Sequence, residues 1–329
     1  MVINVARIDL GNLHLHTDLI IEKEQIKSIE KTIDGITVTT TEKDGHYITI
    51  SFEDVTNYEA REKVGKVLEN ELKKLLLKNK IADGDECLVI GLGNERSTPD
   101  SLGVKVLHEI VITKHLFKYG HPKDGMRIVT GFIPGVMANT GMETSDIVKA
   151  IIERERPKFI IVIDALASLA IDRINKTIQL TDTGIHPGSG IGNKRKEISK
   201  NTEGIPVFAI GVPTVVSAST IVYDTLNYLS KHISYIKENM DTNKLILKHH
   251  DYKNKLRNKQ LSTKEFNDLF GLFGELNDKE RISLINEVLN EIELDLIVTT
   301  SEIDFLIDKL SNMISSAINN ALHRQITHY

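Results

Sequence analysis

Four short runs of apolar residues most constrain what this chain can fold into. They occupy positions 87–91, 127–132, 159–164 and 207–212, and few polar residues interrupt them. Strands covered on both faces read as continuous apolar runs, whereas strands with one solvated face alternate. Between the runs, apolar residues such as Leu102 and Val106 recur with helical spacing. The sequence therefore predicts an α/β fold whose wound, mostly parallel sheet is flanked by helices.

Two further patterns lie outside these runs. Polar and apolar residues alternate at 36–41 and 47–52 around the turn Lys43-Asp44-Gly45, which predicts an N-terminal hairpin. Apolar stripes with helical spacing run from 60 to 76 and from 303 to 318. They predict two long helices, one before the first apolar run of the sequence and one after the last.

The length of 329 residues exceeds one modal domain, yet α/β enzymes of this size often form one core with insertions. The segment at about 240–290 is rich in Lys, Asn and Asp and carries short helical patterns. A capping box from Ser262 to Glu265 opens one of them. This segment predicts an inserted helical region.

The composition indicates where in the cell the protein works and which classes of partner it lacks. The 46 acidic and 41 basic residues are dispersed, so no wide basic face for direct nucleic-acid binding is expected. No stretch reaches the roughly 18 apolar residues of a membrane span, and the N-terminus does not resemble a secretory signal. Cys87 is the single cysteine of the sequence, which suits a reducing compartment. We expect a cytoplasmic protein with no membrane partner, and Cys87 in its core.

Ligands of open α/β sheets bind beyond the carboxyl ends of the strands, and three candidate residues follow such ends. Asp164 closes the most apolar run, where a carboxylate needs neighbours that solvate or protonate it. Asp100 follows the first run at a predicted helix start with Thr98 as N-cap, so it is either a site residue or a helix-dipole carboxylate. His186, near Asp182 in a glycine-rich stretch, is either functional or an ordinary loop histidine.

Two carboxyl groups at neighbouring strand ends can divide the work of hydrolysis, one as general base and one as general acid. A carboxylate and histidine metal site is the alternative, and sequence spacing does not choose between them. The chain has no His-Glu-x-x-His helix and no Gly-x-Ser-x-Gly elbow, and Cys87 has no partner at metal-ligand spacing. Arg96 also stands where a dinucleotide-binding fingerprint needs its third glycine.

At these residues the chain resembles the germination protease family, the endopeptidases that begin degrading small acid-soluble spore proteins when bacterial spores germinate. The matching stretches are 91–103, 134–144, 163–168, 182–193 and 211–217. More distantly it resembles the hydrogenase maturation endopeptidases. In that comparison a metal-binding acid of the relatives falls on Asp100 and another on Asp164, whereas Pro99 and Ser101 replace an acid and a glycine.

The resemblance implies a zymogen that removes its own short propeptide. The predicted cleavage lies between Asp18 and Leu19, so that residues 1–18 are the propeptide and 19–329 form a single peptidase domain. Ile20 and Lys23 depart from the usual form of such a site. The resemblance further implies a homotetramer in the spore core, with small acid-soluble spore proteins as its substrate.

The expected mechanism is of the aspartic type, with Asp100 and Asp164 as the acid and base pair in unresolved order and His186 as an auxiliary. No cofactor is expected, and a divalent metal at Asp100 and Asp164 stays an open alternative. The competing hypotheses are a metal-dependent maturation-type endopeptidase and a non-catalytic protein that binds spore proteins.

Overall fold

The computed structural model describes residues 28–187, 196–238, 255–256, 259–292 and 296–324. Its internal contacts divide the chain into two units, one of Met1–Val215 with Thr299–Tyr329 and one of Val216–Val298. The second unit begins before and ends after the region predicted as a helical insertion. Asp18 and Leu19 lie outside the described residues, so the propeptide and the single peptidase domain stay predictions.

The strands and helices follow the alternation expected of an α/β chain. The strands are β1 Ser28–Ile33, β2 Ile36–Glu42, β3 His46–Ser51, β4 Cys87–Gly91, β5 Val129–Phe132, β6 Phe159–Ser168, β7 Thr177–Thr181, β8 Val207–Ser217 and β9 Ile297–Val298. The helices are α1 Tyr58–Lys78, α2 Leu102–His108, α3 Lys114–Tyr119, α4 Met137–Thr140, α5 Thr144–Glu155, α6 Lys200–Glu203, α7 Ala218–Glu238, α8 Thr263–Phe270, α9 Leu272–Glu275, α10 Asp278–Glu291 and α11 Ile303–Leu322.

The first unit is built on one sheet with the strand order β1-β2-β3-β7-β8-β6-β4-β5. Strand β4 pairs in parallel with β5 and with β6. Strand β8 runs beside β6 in the same direction, because Ile160 donates a 2.9 Å hydrogen bond to Pro206 and, further along, Leu166 packs on Gly211. The predicted wound, mostly parallel central sheet flanked by helices is therefore confirmed.

Antiparallel strands extend this centre along one edge. The predicted hairpin is confirmed as β2 and β3, and β1 and β7 pair antiparallel on either side of it. Neither β1 nor β7 was predicted. Strand β1 is almost wholly exposed and has no continuous apolar run, whereas β7 is buried but has polar Thr177, Gln179 and Thr181 alternating with its two apolar residues.

The core of the first unit lies on both faces of the sheet. Along β6, Ile161 and Ile163 face the cluster formed with α1 and α11, and Ile160 and Val162 face the cluster formed with α5. This two-sided burial explains why the parallel strands read as continuous apolar runs. Each such side chain stabilises the fold by roughly 1.5–3 kcal/mol. Cys87 belongs to the same core, and burial raises the pKa of its thiol.

Two boundaries differ from the prediction. Strand β5 begins at Val129 rather than at Arg127, because the Arg127 backbone N–H donates to His323 Nδ1 instead of to a neighbouring strand. Strand β8 continues past residue 212 to Ser217.

The second unit, Val216–Val298, contains helices α7 to α10 and strand β9, which pairs with Val216 and Ser217. The predicted capping box is present, since Ser262 Oγ accepts from the Glu265 N–H at 3.3 Å while the Glu265 carboxylate accepts from Ser262. Across the described ranges of both units, none of the helices combines the length and apolar content that crossing a membrane requires.

Candidate active site

Asp164 lies within β6, one residue beyond the last residue that pairs with β4. That pairing ends at Ile163, whereas β6 continues to Ser168. The prediction that the strand would close at Asp164 was wrong. Strand β6 continues because its other neighbour, β8, is also long and supports it, with Leu166 packed against Gly211.

The Asp164 side chain is buried on the face of the sheet that α5 covers. Alternation along the strand places Asp164 on the same face as Ile160 and Val162. The residue is 6% exposed, and its Oδ1 accepts a 2.9 Å hydrogen bond from the Ala165 backbone nitrogen. A carboxyl group in such surroundings is costly to maintain unless specific neighbours stabilise it.

Asp100 ends a short 3-10 turn, Thr98–Asp100, and is partly exposed. Its N–H donates to the Ser97 carbonyl at 2.8 Å, and its carbonyl accepts from the Asn94 N–H at 3.0 Å. The predicted N-cap at Thr98 was wrong, because Ser97 precedes the turn and helix α2 begins only at Leu102. Asp100 therefore sits in a turn before the helix rather than in its first turn.

Gly93 allows the loop after β4 to fold back onto Asp100. Its φ angle is 108°, in the left-handed region that other residues rarely adopt. A β-carbon at Gly93 would collide with the Asp100 carbonyl oxygen and would lie 3.3 Å from its carboxylate Oδ1. The close approach therefore requires glycine at this position.

Backbone contacts join this loop to the strand that carries Asp164. The Leu92 N–H donates a 2.8 Å hydrogen bond to the Ile163 carbonyl. Gly103 in helix α2 packs so tightly against Ile163 that a β-carbon there would collide with the same carbonyl oxygen. Close backbone packing thus joins the end of β4, the start of α2 and the residue before Asp164.

Strand β8 also contacts the turn that contains Asp100. Thr214 Oγ1 donates a 2.7 Å hydrogen bond to the carbonyl of Pro99. The turn Thr98–Asp100 also contacts β6. The structure therefore brings Asp100 and Asp164 to the same edge of the sheet on neighbouring elements. Their catalytic roles stay predictions.

His186 follows Ile185, whose backbone pairs with that of Ile198 through two hydrogen bonds of 2.9 and 2.8 Å. The His186 side chain is 19% exposed, and its Nε2 lies 3.9 Å from Glu197 Oε2. The auxiliary catalytic role of His186 stays a prediction.

Asp182, which the sequence grouped with His186, belongs to a structural cluster. Its carboxylate accepts hydrogen bonds from Asn79 Nδ2 at 2.8 Å and from the His46 N–H at 2.7 Å, and it lies 2.7 Å from His46 Nδ1. Burial opposes its ionisation, but the hydrogen bonds from Asn79 and His46 outweigh burial and hold the Asp182 pKa below its ordinary value of 3.8. Asp182 thereby ties the hairpin turn to the end of α1.

An open cleft of about 450 Å³ adjoins the Asp100 loop. Its lining consists of Gly93, Asn94, Glu95, Arg96, Val104, Ile133, Gly135, Ala138 and Asn139. Gly93 both lines the cleft and touches Asp100. An open groove beside a candidate catalytic carboxyl group suits a polypeptide substrate.

A metal site was the alternative to a pair of carboxyl groups. Within the part of the chain that the structure describes, no three His, Cys, Asp or Glu side chains converge as a metal site would need. Catalytic zinc sites use three protein ligands. A divalent metal at Asp100 and Asp164 stays an open alternative.

Two features of the candidate site were not predicted from the sequence. The contact of Thr214 with Pro99 joins residues 115 positions apart, and the only sequence signal at Thr214 is its place in the family-like stretch 211–217. The cleft combines the loop after β4 with the loop after β5. In the sequence, Arg96 stands out only because it replaces the third glycine of a dinucleotide-binding fingerprint.

Comparison with known proteins supplies the family. The model of the germination protease family matches residues 12–329. The germination protease of Bacillus subtilis (strain 168) is 41% identical over 93% of this chain and 87% of its own length. That of Bacillus cereus (strain ATCC 10987 / NRS 248) is 39% identical over 97% of this chain and 96% of its own length.

One solved structure is a distant match. It is the NiFe hydrogenase maturation protease HycI from Thermococcus kodakarensis KOD1, with 16% identity and a TM-score of 0.27 over 42% of this chain and 80% of that chain. A likeness of this size defines neither fold nor function. The family model and the curated relatives both extend over nearly the whole sequence, and the chain belongs to the germination protease family.

Proposed function

We propose that the chain is made as a zymogen, cuts itself between Asp18 and Leu19, and then hydrolyses small acid-soluble spore proteins at specific sites. Family membership makes it an endopeptidase of spore germination. The substrate class and the self-processing step are supported by the resemblance of the segment around Asp18 to the substrate sites of the family.

The observation that carries the mechanism is the placement of two carboxyl groups at one edge of the sheet. Asp164 is 6% exposed and follows the last residue paired with β4. Asp100 is partly exposed in a turn fixed to β8 by the hydrogen bond from Thr214. Carboxyl groups in such different surroundings suit the two opposite roles of acid–base catalysis.

In the proposed reaction one carboxylate takes a proton from a water molecule while the water oxygen attacks the scissile carbonyl carbon. The other carboxyl group donates its proton to the carbonyl oxygen as the tetrahedral intermediate forms. The first group then returns its proton to the leaving nitrogen, the carbon–nitrogen bond breaks, and the second group recovers its proton from the intermediate. General acid–base catalysis of this kind contributes typically 10²–10⁴-fold.

The substrate polypeptide is proposed to cross the loop that follows β4. Gly93 places the cleft directly beside Asp100. The order of acid and base between Asp100 and Asp164 is left open in this proposal. His186 is proposed as a catalytic auxiliary.

The experiment is a time course with the purified full chain and a small acid-soluble spore protein, read by mass spectrometry of both. The proposal predicts a new N-terminus at Leu19, followed by discrete cuts in the spore protein. A different new N-terminus would refute the processing site. Loss of activity on stringent chelation, restored by added metal, would favour the metal-dependent alternative, and binding without any cut after removal of residues 1–18 would favour the non-catalytic one.

The proposal includes a homotetramer that works in the spore core. Both parts rest on the resemblance to the family. Light scattering on the eluting peak of a sizing column tests the assembly, and a monomer over the whole working concentration range would contradict it. Fractionation of dormant spores tests the location.

A further inference from the structure

We propose that the first turn of helix α5 binds the scissile carbonyl oxygen of the substrate as negative charge develops on it. The donors are the backbone N–H groups of Thr144 and Ser145 and the Ser145 hydroxyl. This inference rests on the proposed function, because it takes Asp164 as one of the groups that act on the peptide bond. It adds a set of hydrogen-bond donors to the two carboxyl groups of the candidate site.

The first turn of α5 lies at the edge of the sheet where Asp164 lies. Helix α5 connects β5 to β6, and both strands pair in parallel with β4, so the helix begins at the edge where these strands end. Val148 of α5 packs in the cluster that contains Ile160 and Val162. Thr144 is one turn before Val148 on the same helix face, about 6 Å nearer that edge. Asp164 follows Val162 by two residues, about 6.6 Å along the strand in the same direction. The turn is therefore level with Asp164.

Two backbone donors of this turn have no partner in the described part of the chain. The first four N–H groups of a helix have no acceptor within the helix. In the twelve-residue helix α5, the N–H groups of Asp146 and Ile147 donate to the Glu143 carbonyl at 3.1 and 3.2 Å. The N–H groups of Thr144 and Ser145 make no such bond among the described residues, and no side chain caps the helix.

The Ser145 side chain independently indicates a ligand. It is 5% exposed, and its Oγ is buried with no hydrogen-bond partner among the described residues. The Cα–Cβ bond of a helical residue tilts toward the helix N-terminus, so this hydroxyl is directed at the same open N–H groups. Buried hydroxyl groups are nearly always hydrogen-bonded, and an exception requires an explanation. A ligand atom that accepts from all three donors supplies one.

A carbonyl oxygen that gains negative charge fits these donors. The N-terminus of a helix favours an anion because of its unpaired N–H groups and the helix dipole. In the proposed reaction the scissile carbonyl oxygen gains such charge as water attacks the carbon, before the acid group has transferred its proton. Donors placed in advance around that oxygen lower the barrier, and removing one costs about 10²–10³-fold in kcat.

Two acidic side chains near the turn differ in their surroundings. Asp146 forms a 2.8 Å ion pair with Lys196. Glu143 precedes the helix, and its Oε1 is buried without a partner in the described ranges. Its negative charge opposes a developing anion, so Glu143→Gln should cut at least as fast as the wild type. A tenfold loss in this variant would contradict negative charge at the turn.

The first test removes the Ser145 hydroxyl within the full chain and follows self-processing by mass spectrometry. Ser145→Ala should slow processing about 100-fold. Its unfolding temperature should not fall, because the lost hydroxyl has no partner in the part of the chain described. Thr130→Val removes another buried, unpartnered hydroxyl of the described residues, on β5 rather than in the turn, and should leave the rate within about twofold.

Thr144→Pro removes a backbone donor while keeping the start of the helix. Proline is favoured at the first position of a helix, and Glu143 already has the extended backbone, with φ −67° and ψ 128°, that suits the residue before proline. Thr144→Val is the matched control, since it keeps both the N–H and the volume. Thr144→Pro should process about 100-fold more slowly than Thr144→Val at a similar unfolding temperature.

A tetrahedral analogue probes the same donors without cleavage. A labelled peptide of residues 13–26 carries a phosphinate in place of the bond between Asp18 and Leu19. Its fluorescence anisotropy is measured with the full chain carrying Asp164→Asn. This peptide should bind about tenfold or more tightly than the ordinary peptide. Adding Ser145→Ala should remove most of that difference and leave binding of the ordinary peptide within about twofold.

The outcomes separate the two proposals. If the wild type cuts neither itself nor a spore protein, but the phosphinate peptide binds more tightly than the ordinary one in a Ser145-dependent way, the proposed function fails and the anion site of α5 stands. If the wild type cuts itself, while Ser145→Ala and Thr144→Pro cut at its rate and the phosphinate gives no tighter binding, the anion site is overturned and the proposed function stands.

Discussion

Thr214 Oγ1 donates a 2.7 Å hydrogen bond to the carbonyl of Pro99, which fixes the turn carrying Asp100 to a strand next to that of Asp164. Thr214 is 1% exposed, and Thr214→Val removes the donor of this bond. We expect this variant to lose about 1–3 kcal/mol of unfolding free energy and to show a lower kcat/KM. Urea unfolding and cleavage kinetics measure both effects.

Thr130→Val is the matched control for Thr214→Val. The Thr130 hydroxyl is buried and has no hydrogen-bond partner among the described residues. Its removal should leave stability within about 0.5 kcal/mol or raise it. Equal effects of the two substitutions would show that the bond to Pro99 does not position the site.

Gly93→Ala tests the close approach of the loop to Asp100. A β-carbon at Gly93 would collide with the Asp100 carbonyl, whereas one at Gly141 would meet nothing within 4 Å, although its φ of 69° is also left-handed. Gly141→Ala should therefore cost about 1–2 kcal/mol of unfolding free energy with activity retained. Gly93→Ala should cost more and abolish cleavage. Similar activity in both variants would contradict the role given to Gly93.

Gln179 is a buried amide whose Oε1 and Nε2 both lack a partner in the described part of the chain. It is 1% exposed in the middle of β7. Gln179→Met keeps the volume and removes the uncompensated polar atoms, so we expect unfolding free energy to rise by about 1–3 kcal/mol. Urea unfolding at neutral pH checks this, and a clear loss of stability would show that the amide is satisfied in solution.

Asp182 should make the fold sensitive to acid. Its pKa lies below the ordinary 3.8 in the folded state, despite burial, because Asn79 and His46 donate hydrogen bonds to it. A lowered folded-state pKa contributes stability that is present above the unfolded pKa and is lost as pH falls through the folded value. The loss should therefore begin near pH 4 and grow toward lower pH.

Thermal unfolding between pH 2 and 7 measures that dependence. Asp182→Asn should unfold more easily than the wild type at pH 7, and the difference should shrink below about pH 4. Asp146→Asn, at an exposed carboxylate that forms an ion pair with Lys196, is the control. A pH-independent gap between the wild type and Asp182→Asn would refute the link to ionisation.

The central strands of the fold could be predicted because their burial is visible in short, local stretches of the sequence. Strands β4 and β6 are buried on both faces, and that burial appears directly as apolar runs. Asp164 was found for the same reason, since a carboxylate in an apolar run conflicts with its surroundings. Strand β1 could not be found this way, because nearly all of its residues are exposed.

The details of the candidate site depend on contacts between distant residues. Thr98 carries a good capping pattern, yet Ser97 precedes the turn, because Asn94, Gly93 and Thr214 fix the backbone around Asp100. No local propensity encodes such contacts. The hydrogen bonds of Asp182 have the same origin, since Asn79 and His46 come from other parts of the chain.

The joint catalytic role of Asp100 and Asp164 is tested by comparing the full chain carrying Asp100→Asn, the one carrying Asp164→Asn and the wild type, each with a small acid-soluble spore protein. Mass spectrometry follows both the new N-terminus and the spore-protein fragments, and circular dichroism confirms the fold. We predict that neither variant cuts itself or the substrate while both remain folded. Cleavage at the wild-type rate by both variants would show that these two carboxyl groups do not carry the reaction.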